Sequence, residues 1–273
     1  MIIALAVIVL VISSLTLTQP AAKEQNLVVF CGAASKPVME EAAEQFEKDY
    51  GIGVELHFGG SGTMLSQMII AETGDLYIPG SHDYMLRAIK DDVVDDKTIE
   101  ILAYVVPAII VQEGNPKNIQ DLEDLAKPDV KVGIGDPESV CVGEYAVEVL
   151  KYNNLYDDVK PNIVVYAESC SKTAALVTIG QVDAIIGWKV FEKWNPNKSD
   201  CVLIDPYGIP KISCIPGAVS TYTTNRINAQ KFLDFLASNE GQEIFRKYGY
   251  LSTIEQARIY APIASIPQFT EYK

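Results

Sequence analysis

The sequence has few of the residues on which most catalytic and metal sites depend. It contains two histidines, His57 and His82, and neither lies next to a candidate nucleophile. It has no CxxC pair and no ladder of histidines and cysteines, so we do not expect a structural zinc site. It also lacks a GxSxG nucleophile elbow and the lysine of a P-loop. These absences predict a protein that is not an enzyme and has no resident metal ion or cofactor.

Positive charge is also scarce. The chain has 22 lysines and arginines against 36 aspartates and glutamates, a net charge of −14, and no basic stripe. We therefore expect no nucleic-acid partner. An anionic ligand of such a protein has to be held by local dipoles, against the field of the whole chain. With 273 residues and 48% hydrophobic content, the chain is long enough for two folded lobes.

Charge is absent altogether near the N-terminus. Residues 2–17, "IIALAVIVLVISSLTL", have no charged side chain and are followed by small and polar residues. This pattern is typical of an export signal or an uncleaved membrane anchor, which we assign to residues 1–25. A buried core helix is the alternative. Export predicts that the protein works outside the cytoplasm, in the periplasm or at the outer face of the cell membrane.

Five cysteines leave at least one thiol unpaired in a monomer, the oligomeric state that we expect. Cys201 and Cys214 flank "VLIDPYGIPKIS", which is typical of two short strands around a Pro/Gly turn. A disulfide between them would suit an oxidising compartment. The other three cysteines are Cys31, Cys141 and Cys170.

Strand-like and helix-like segments alternate after the N-terminal segment, as in "NLVVFCGA" followed by "KPVMEEAAEQFEKDYG". This alternation predicts an α/β fold with mostly parallel sheets. The apolar "ILAYVVPAIIVQ" would carry the chain into a second lobe, and "PGAVSTYTT" would carry it back. We therefore predict lobe I from residues 26–106 and 219–273, and lobe II from residues 107–218. The hinges would lie near Tyr104–Pro107 and Ala218–Thr221.

Four predicted strand-to-helix turns share one pattern: "CGAASKP", "GGSGT", "GDPESVCVGEYA" and "AESCSKTAAL". Each offers unpaired N–H groups at a helix start, and three of them add a hydroxyl. In a parallel sheet such turns lie at the carboxyl ends of strands, where ligands bind. Each helix start carries roughly half a positive charge. Two turns from each lobe therefore predict an interlobe cleft that holds a small anion through neutral donors.

Several segments resemble the molybdate-binding, periplasmic-type receptors of ABC transporters. They are "VFCGAASKPVMEEAAEQFEKDYGIGVELHFGGSGTMLSQM", "GDLYIPGS", "VGIGDPESVCVGEYAVEVL" and "GQEIFRKYGY", between about residues 27 and 251. The resemblance implies a two-lobed type II periplasmic binding protein fold with a hinge and an interlobe cleft. It also implies that molybdate or tungstate is bound through serine hydroxyls and backbone amides and delivered to a membrane permease.

The same resemblance assigns site residues by position. Ser35 and Ser61 would supply hydroxyls, and Val142 and Cys170 would supply backbone amides. The full predicted ligand-binding set is Ala34, Ser35, Ser61, Gly62, Val142, Gly143 and Cys170.

The sequence departs from the family pattern at two places. Where the family has a tyrosine, this chain has Gly187 or Trp188, and neither of these residues has a hydroxyl group. A proline found in many relatives is Cys141 here. With Cys31 and Cys170, this cysteine falls on or next to the cleft turns. The three would be small buried residues, with a Cys141–Cys170 disulfide or a soft-metal site as alternatives.

The sequence also allows ligands other than molybdate and tungstate. Sulfate and phosphate are tetrahedral anions too, and cleft cysteines or carboxylates would bind a metal ion; a cysteine-dependent enzyme is a more distant alternative. Phosphate needs an acceptor for its remaining proton, whereas a fully deprotonated dianion needs donors only. Because the four turns supply donors, they favour molybdate, tungstate or sulfate.

Overall fold

A computed structural model describes residues 26–266, 268 and 269, which form two five-stranded sheets covered by helices. The predicted signal or anchor, residues 1–25, lies outside the described residues. Within the described part, no helix combines the length and the apolar character needed to cross a bilayer.

The elements follow one another as alternating strands and helices through most of the chain. The strands are β1 (Leu27–Gly32), β2 (Val54–Gly59), β3 (Leu76–Ile78), β4 (Glu100–Val105), β5 (Pro107–Gln112), β6 (Val132–Gly135), β7 (Ile163–Ala167), β8 (Ala184–Trp188), β9 (Ser199–Val202) and β10 (Ser213–Val219). The helices are α1 (Lys36–Tyr50), α2 (Ser61–Ala71), α3 (His82–Lys90), α4 (Cys141–Tyr152), α5 (Tyr156–Val159), α6 (Cys170–Thr178), α7 (Phe191–Trp194), α8 (Arg226–Ala237), α9 (Asn239–Lys247) and α10 (Ile254–Arg258). The predicted alternation of strands and helices is confirmed.

Helix α1 illustrates how the local sequence sets these elements. Pro37 occupies its first turn, where the missing N–H has no intrahelical acceptor to lose. Val38, Ala42 and Phe46 recur on one face, all are buried, and this face packs into the core. Gly51 ends the helix in the left-handed region with φ of 70°, which a residue without a side chain adopts readily.

The two sheets have the same plan. The first has the order β2-β1-β3-β10-β4, and the second has the order β7-β6-β8-β5-β9. Each contains three parallel strands, then a reversed strand, then an edge strand. The reversed strands are β10 and β5, the two strands that the chain enters just after crossing from the other sheet. Each sheet is the centre of one lobe, so the predicted two-lobed α/β architecture is confirmed.

The crossings do not all lie where the sequence predicted them. Strand β4 belongs to the first sheet and β5 to the second, so the first crossing is at Val106, inside the predicted Tyr104–Pro107 hinge. The return crossing lies at residues 203–212, between β9 and β10. The prediction of a hinge at Ala218–Thr221 was wrong, because Ala218 and Val219 already pair with β3 in the first sheet.

Two further corrections follow from this topology. Residues 213–218 belong to the first sheet, although the predicted division put them in lobe II. At the C-terminus, Ala257, Ala261 and Ala264 pack into the core of the second sheet, although that division put them in lobe I. A pattern of short apolar segments does not reveal which sheet a segment joins, because both sheets accept the same residues.

The predicted Cys201–Cys214 disulfide was also wrong. Cys201 lies on β9 in the second sheet, whereas Cys214 lies on β10 in the first sheet, and both thiols are free. The turn between them, "VLIDPYGIPKIS", is the return crossing rather than a hairpin.

Candidate functional site

The four turns singled out in the sequence lie at the carboxyl ends of two adjacent pairs of strands. In the first sheet, β1 and β2 are parallel and end in register at Gly32 and Gly59. In the second sheet, β6 and β7 are parallel and end in register at Gly135 and Ala167. The helices that follow, α1, α2, α4 and α6, therefore begin in two neighbouring pairs, and the two pairs face each other across the boundary between the lobes.

In the first lobe, Ser35 and Ser61 are both fully buried. The Ser61 hydroxyl oxygen accepts a hydrogen bond from the Gly80 amide at 3.0 Å, which leaves its own proton free to donate. The Tyr77 hydroxyl fixes this turn by donating to the Ser61 carbonyl at 2.8 Å. Ser35 is less ready, because its hydroxyl donates to the Gly32 carbonyl at 3.1 Å. Its proton has to rotate away from that carbonyl before it can bind an anion.

Ala34 also belongs to the first turn, and its side chain has no hydrogen-bonding group. Its methyl group lies close to Gly80, and its carbonyl oxygen accepts a hydrogen bond from the Tyr250 hydroxyl at 2.5 Å. Tyr250 is buried and comes from the end of the "IFRKYGY" segment that carried part of the family resemblance. This segment therefore supports the first turn from behind.

In the second lobe, cysteines rather than serines begin the two helices of the site. Cys141 and Cys170 are the first residues of α4 and α6, and their sulfur atoms are 3.5 Å apart. Both side chains are buried and both thiols are free, so the alternative of a preformed disulfide does not describe this structure. Ser169 precedes α6 as its N-cap and accepts a hydrogen bond from the Lys172 amide.

The predicted amide donors divide into two groups. Gly62 and Gly143 already use their N–H groups, Gly62 on the Ser139 carbonyl at 3.0 Å and Gly143 on the Val140 carbonyl at 2.9 Å. Within the described residues, the amides of Val142 and Cys170 have no acceptor. These two amides and the Ser61 hydroxyl are therefore donors that are available to a ligand.

The lobes touch at the site because glycines line the contact. A β-carbon on Gly60 would lie 2.7 Å from the Ser139 carbonyl oxygen and 3.0 Å from the Glu168 carbonyl oxygen, both in the second lobe. A β-carbon on Gly80 would lie 2.7 Å from the Cys141 sulfur. We call this contact, made by Gly60, Gly62, Gly80, Ser139 and Cys141, the glycine seam.

Lysines at the start of α1 and α6 are exposed and paired with carboxylates. Lys36 forms an ion pair with Glu40, and Lys172 forms one with Glu168, and these four side chains are 40–73% exposed. The ready donors at the seam are thus neutral groups.

A separate group of charged residues joins the lobes beyond the seam. The Tyr145 hydroxyl donates to the Asp83 carboxylate at 3.0 Å and lies 3.3 Å from His82 Nδ1. Lys211 forms ion pairs with Asp83 at 3.1 Å and with Glu148 at 3.0 Å. We call this group, together with the Arg87–Glu144 ion pair, the charged bridge.

Burial and neighbouring charges set the titration of the charged bridge. Burial alone would raise the pKa of Asp83, but His82, Lys211 and the Tyr145 hydroxyl together lower this pKa below its usual range. Burial lowers the pKa of His82, and Asp83 opposes that shift only in part. Asp83 is therefore held as the carboxylate, and His82 is held neutral.

The charged bridge was missed in the sequence. Its residues come from α3, α4 and the return crossing, so no local spacing connects them. Gly80 was missed as well, although "PGSH" before α3 has the same small-residue pattern before a helix as the four turns. That pattern is the signal that could have found it.

Trp188 lies at the place where the family tyrosine was expected. Its ring is buried and packs edge-on against Tyr145, with the ring centroids 4.9 Å apart. In the described part of the chain its indole N–H has no hydrogen-bond partner. Gly187 faces the ring of Phe191 and has no donor other than its backbone amide.

A metal site was the alternative use of the cleft cysteines and carboxylates. The described residues contain no group of three or more histidine, cysteine, aspartate or glutamate side chains arranged to hold a metal ion. Cys31 lies buried inside β1, in the same hydrophobic core cluster as Cys141 and Cys170.

Comparison with known proteins fits this geometry. Among curated relatives, the molybdate-binding protein ModA of Escherichia coli is 26% identical over 235 residues, which cover 84% of this chain and 90% of that protein. A sulfate-binding protein of Synechococcus elongatus is 23% identical over 270 residues, which cover 86% of this chain and 75% of that protein.

Solved structures share the fold. One is the substrate-binding domain of a proposed molybdenum ABC transporter from Clostridium difficile, with 26% identity, a TM-score of 0.63 and coverage of 84% of this chain and 99% of that chain. The periplasmic molybdate-binding protein of Azotobacter vinelandii has a TM-score of 0.73 at 17% identity, with coverage of 83% and 99%.

The family model described as bacterial extracellular solute-binding protein matches residues 27–251, which include both sheets and all four turns. This family consists of binding proteins rather than enzymes. The chain belongs to the family of bacterial extracellular solute-binding proteins.

Proposed function

We propose that this protein is the receptor of an ABC transporter and binds molybdate or tungstate between its lobes. The observation that carries the proposal is the set of ready neutral donors, the Ser61 hydroxyl on one side of the glycine seam and the Val142 and Cys170 amides on the other. Each of the latter two amides belongs to the first turn of a helix, where the helix dipole favours an anion. Ser35, Ala34, Gly62 and Gly143 would complete the site after small rotations.

The chemistry of the donors favours a fully deprotonated dianion. The site offers N–H and O–H donors, and such a dianion accepts hydrogen bonds on all four oxygens without needing an acceptor in return. Hydrogen phosphate would bring a proton that needs one. Two relatives are named for binding molybdate and sulfate, and both of these anions are fully deprotonated dianions.

Sulfate is the second candidate, since one relative is named for it. Sulfate and molybdate have the same charge and shape and differ in size. A cleft closed around the longer metal–oxygen bonds would hold sulfate loosely, so affinity for the two anions separates the candidates.

The proposed cycle involves binding and closure without covalent chemistry. The anion bridges the two halves of the glycine seam while the lobes turn about Val106 and residues 203–212, and the closed form docks on a membrane permease. In this proposal residues 1–25 export or anchor the chain, and the receptor acts as a monomer outside the cytoplasm.

Calorimetric titration of the purified protein with molybdate, tungstate, sulfate and phosphate tests the assignment. We expect one-to-one binding of molybdate or tungstate, with sulfate and phosphate at least about tenfold weaker. Ser61→Ala removes a hydrogen bond to a charged ligand, worth about 1.5–3 kcal/mol, and should weaken binding at least about tenfold. Ser66→Ala, at an exposed position on the same helix, is the matched control. Tighter binding of sulfate, or equal affinity of the two variants, would contradict the proposal.

A further inference from the structure

We propose that Cys141 and Cys170 are a redox-active thiol pair whose oxidation to a disulfide weakens ligand binding. This inference rests on the proposed function, because the pair lies in the second-lobe half of the proposed site. It assigns the two thiols a role beyond filling space beside the strand ends.

The topology brings the two thiols together. Strands β6 and β7 are adjacent and parallel and end in register, so the helices that follow them, α4 and α6, begin side by side. Cys141 and Cys170 are the first residues of those helices, and their sulfur atoms are 3.5 Å apart. Within the described residues, no other pair of thiols forms such a contact; Cys201 and Cys214, for example, belong to different sheets.

The first lobe covers this pair. The Cys141 sulfur faces Gly80, and the Ser61 side chain lies beside it. Cys170 is 2% exposed and Cys141 is fully buried. Separation of the lobes would remove Gly80 and Ser61 from the Cys141 sulfur and expose it. The pair is thus accessible to a reagent in the open form and shielded in the closed form.

The same closure controls reactivity. In the closed form, burial raises the pKa of Cys141 well above its usual range, and the neighbouring Cys170 raises it further. A protonated thiol is a poor nucleophile. Opening removes the burial, while the start of α4 still favours the negative charge of a thiolate. Ligand binding and oxidation should therefore oppose each other.

The oxidant we name is a low-molecular-weight disulfide, such as oxidised glutathione. One cysteine thiolate attacks a sulfur of that disulfide, and a mixed disulfide forms while one small thiolate leaves. The second cysteine then attacks the protein sulfur and releases the other small thiolate. The two protons of the cysteine thiols pass through solvent to the two leaving thiolates. The protein loses two electrons, and the oxidant gains them.

The new bond would disturb the donors. A disulfide requires sulfur atoms about 2.05 Å apart, so the two sulfurs must approach each other from 3.5 Å. This movement draws together the first turns of α4 and α6, which carry the ready amides of Val142 and Cys170. Small displacements of positioned donors lower affinity markedly. We expect oxidation to weaken binding at least about tenfold.

The test treats the purified protein with oxidised glutathione or with a reducing agent. Peptide mapping by mass spectrometry then identifies the linkage, and calorimetry measures binding of molybdate. We expect a Cys141–Cys170 linkage, slower formation of it in saturating molybdate, and at least about tenfold weaker binding after oxidation. The double variant Cys141→Ser/Cys170→Ser, which leaves neither thiol to form a mixed disulfide, should keep one affinity under both treatments, and Cys201→Ser should respond as the unaltered protein does.

The outcomes separate this proposal from the proposed function. If the reduced protein binds none of the four anions, the proposed function fails, while the mapped linkage still decides whether the pair is redox-active. If no Cys141–Cys170 linkage forms, or if oxidised and reduced protein bind molybdate equally well, this inference is overturned. Should a serine variant fail to fold, labelling of Cys141 by iodoacetamide in the unaltered protein provides the test instead. We expect labelling to be slower with molybdate than without it. Equal rates would also overturn the inference.

Discussion

The glycine seam and the charged bridge join the same two lobes by opposite means. At the seam, Gly60 and Gly62 bring backbone against backbone, and the ready donors are neutral. At the bridge, Asp83, Tyr145 and Lys211 bring long polar side chains together. The seam leaves unpaired donors next to the ligand position, whereas the bridge pairs its charges with one another.

This difference separates recognition from closure. A binding site made of neutral donors keeps its hydrogen-bonding capacity at any physiological pH and is little screened by salt. Paired charges respond to both, because protonation removes charge and salt weakens exposed ion pairs. We therefore expect changes at the seam to have the larger effect on affinity for the anion, and changes at the bridge to act mainly on stability and its dependence on conditions.

The seam should be the more sensitive region, and Gly60→Ala tests it most directly. The added methyl group would meet carbonyl oxygens of Ser139 and Glu168 in the other lobe, so it should oppose closure without disturbing the open form. Such overpacking costs about 1–3 kcal/mol, which corresponds to about fivefold to 150-fold weaker binding. Calorimetry with molybdate measures the affinity, and thermal unfolding without ligand should change little.

Gly59→Ala is the matched control. A β-carbon there would meet only the flexible side chain of Met64, in the same lobe. Equal affinities of Gly59→Ala and Gly60→Ala would mean that contact across the seam does not control binding.

The turns on either side of the seam were also the part of the site that the sequence predicted best. Glycine and serine before an amphipathic segment indicate a strand-to-helix turn wherever it occurs, so local rules located all four turns. They did not reveal which donors are available to a ligand, because that depends on contacts between distant parts of the chain. The Gly62 amide, for example, is occupied by the carbonyl of Ser139, which is 77 positions further along the chain (139 − 62).

The bridge and the return crossing could not be predicted by local rules. Asp83 and Lys211 are 128 positions apart, and their pairing depends on how the lobes lie together. The same limit explains why β10 was assigned to the wrong lobe. Its apolar run fits either sheet, and only pairing with β3 and β4 decides between them.

Asp83→Asn, in the charged bridge, should have the next largest effect, which we expect on the stability of the protein. Asparagine keeps the shape and one acceptor but loses the charge that faces Lys211 and the Tyr145 hydroxyl. We expect the free energy of unfolding to fall by about 1–2 kcal/mol. Chemical denaturation measures it. Asp91→Asn, at the exposed end of the same helix, should leave stability within about 0.5 kcal/mol of the unaltered protein. Equal losses in both variants would mean that the contacts of Asp83 in the charged bridge do not stabilise the protein.

His82 should give the bridge a smaller, pH-dependent effect. Burial lowers the pKa of His82 in the folded protein, whereas in the unfolded chain a histidine titrates near pH 6.5. The unfolded state therefore binds the proton more readily, so this contribution is complete above about pH 6.5 and is lost as the pH falls below it. Asp83 also has a lowered pKa, and its contribution is lost only at more acidic pH, as it becomes protonated.

Denaturation at pH 7.5 and pH 5.5 isolates the histidine. We expect the free energy of unfolding to decrease between these values, and to decrease less in His82→Gln. The groups around the ring are Asp83, Tyr145, Lys211 and Glu148. His57→Gln, at the protein's other histidine, is the control and should keep the full decrease. A decrease that persists unchanged in His82→Gln would assign the pH dependence to other groups.

Arg87→Gln should have the smallest effect, because its ion pair with Glu144 is the most exposed part of the bridge. The two side chains are 46% and 22% exposed, and exposed pairs contribute about 0.2–1 kcal/mol. The Arg87 guanidinium also stacks on Tyr84, so part of its contribution is independent of charge. We expect molybdate affinity to fall less than about fivefold, with a smaller difference in high salt. Arg246→Gln is the matched control, because Arg246 is 47% exposed and pairs with Glu243 within one helix rather than across the lobes. If both variants lose the same affinity, the loss comes from net charge, and the Arg87–Glu144 pair does not favour closure.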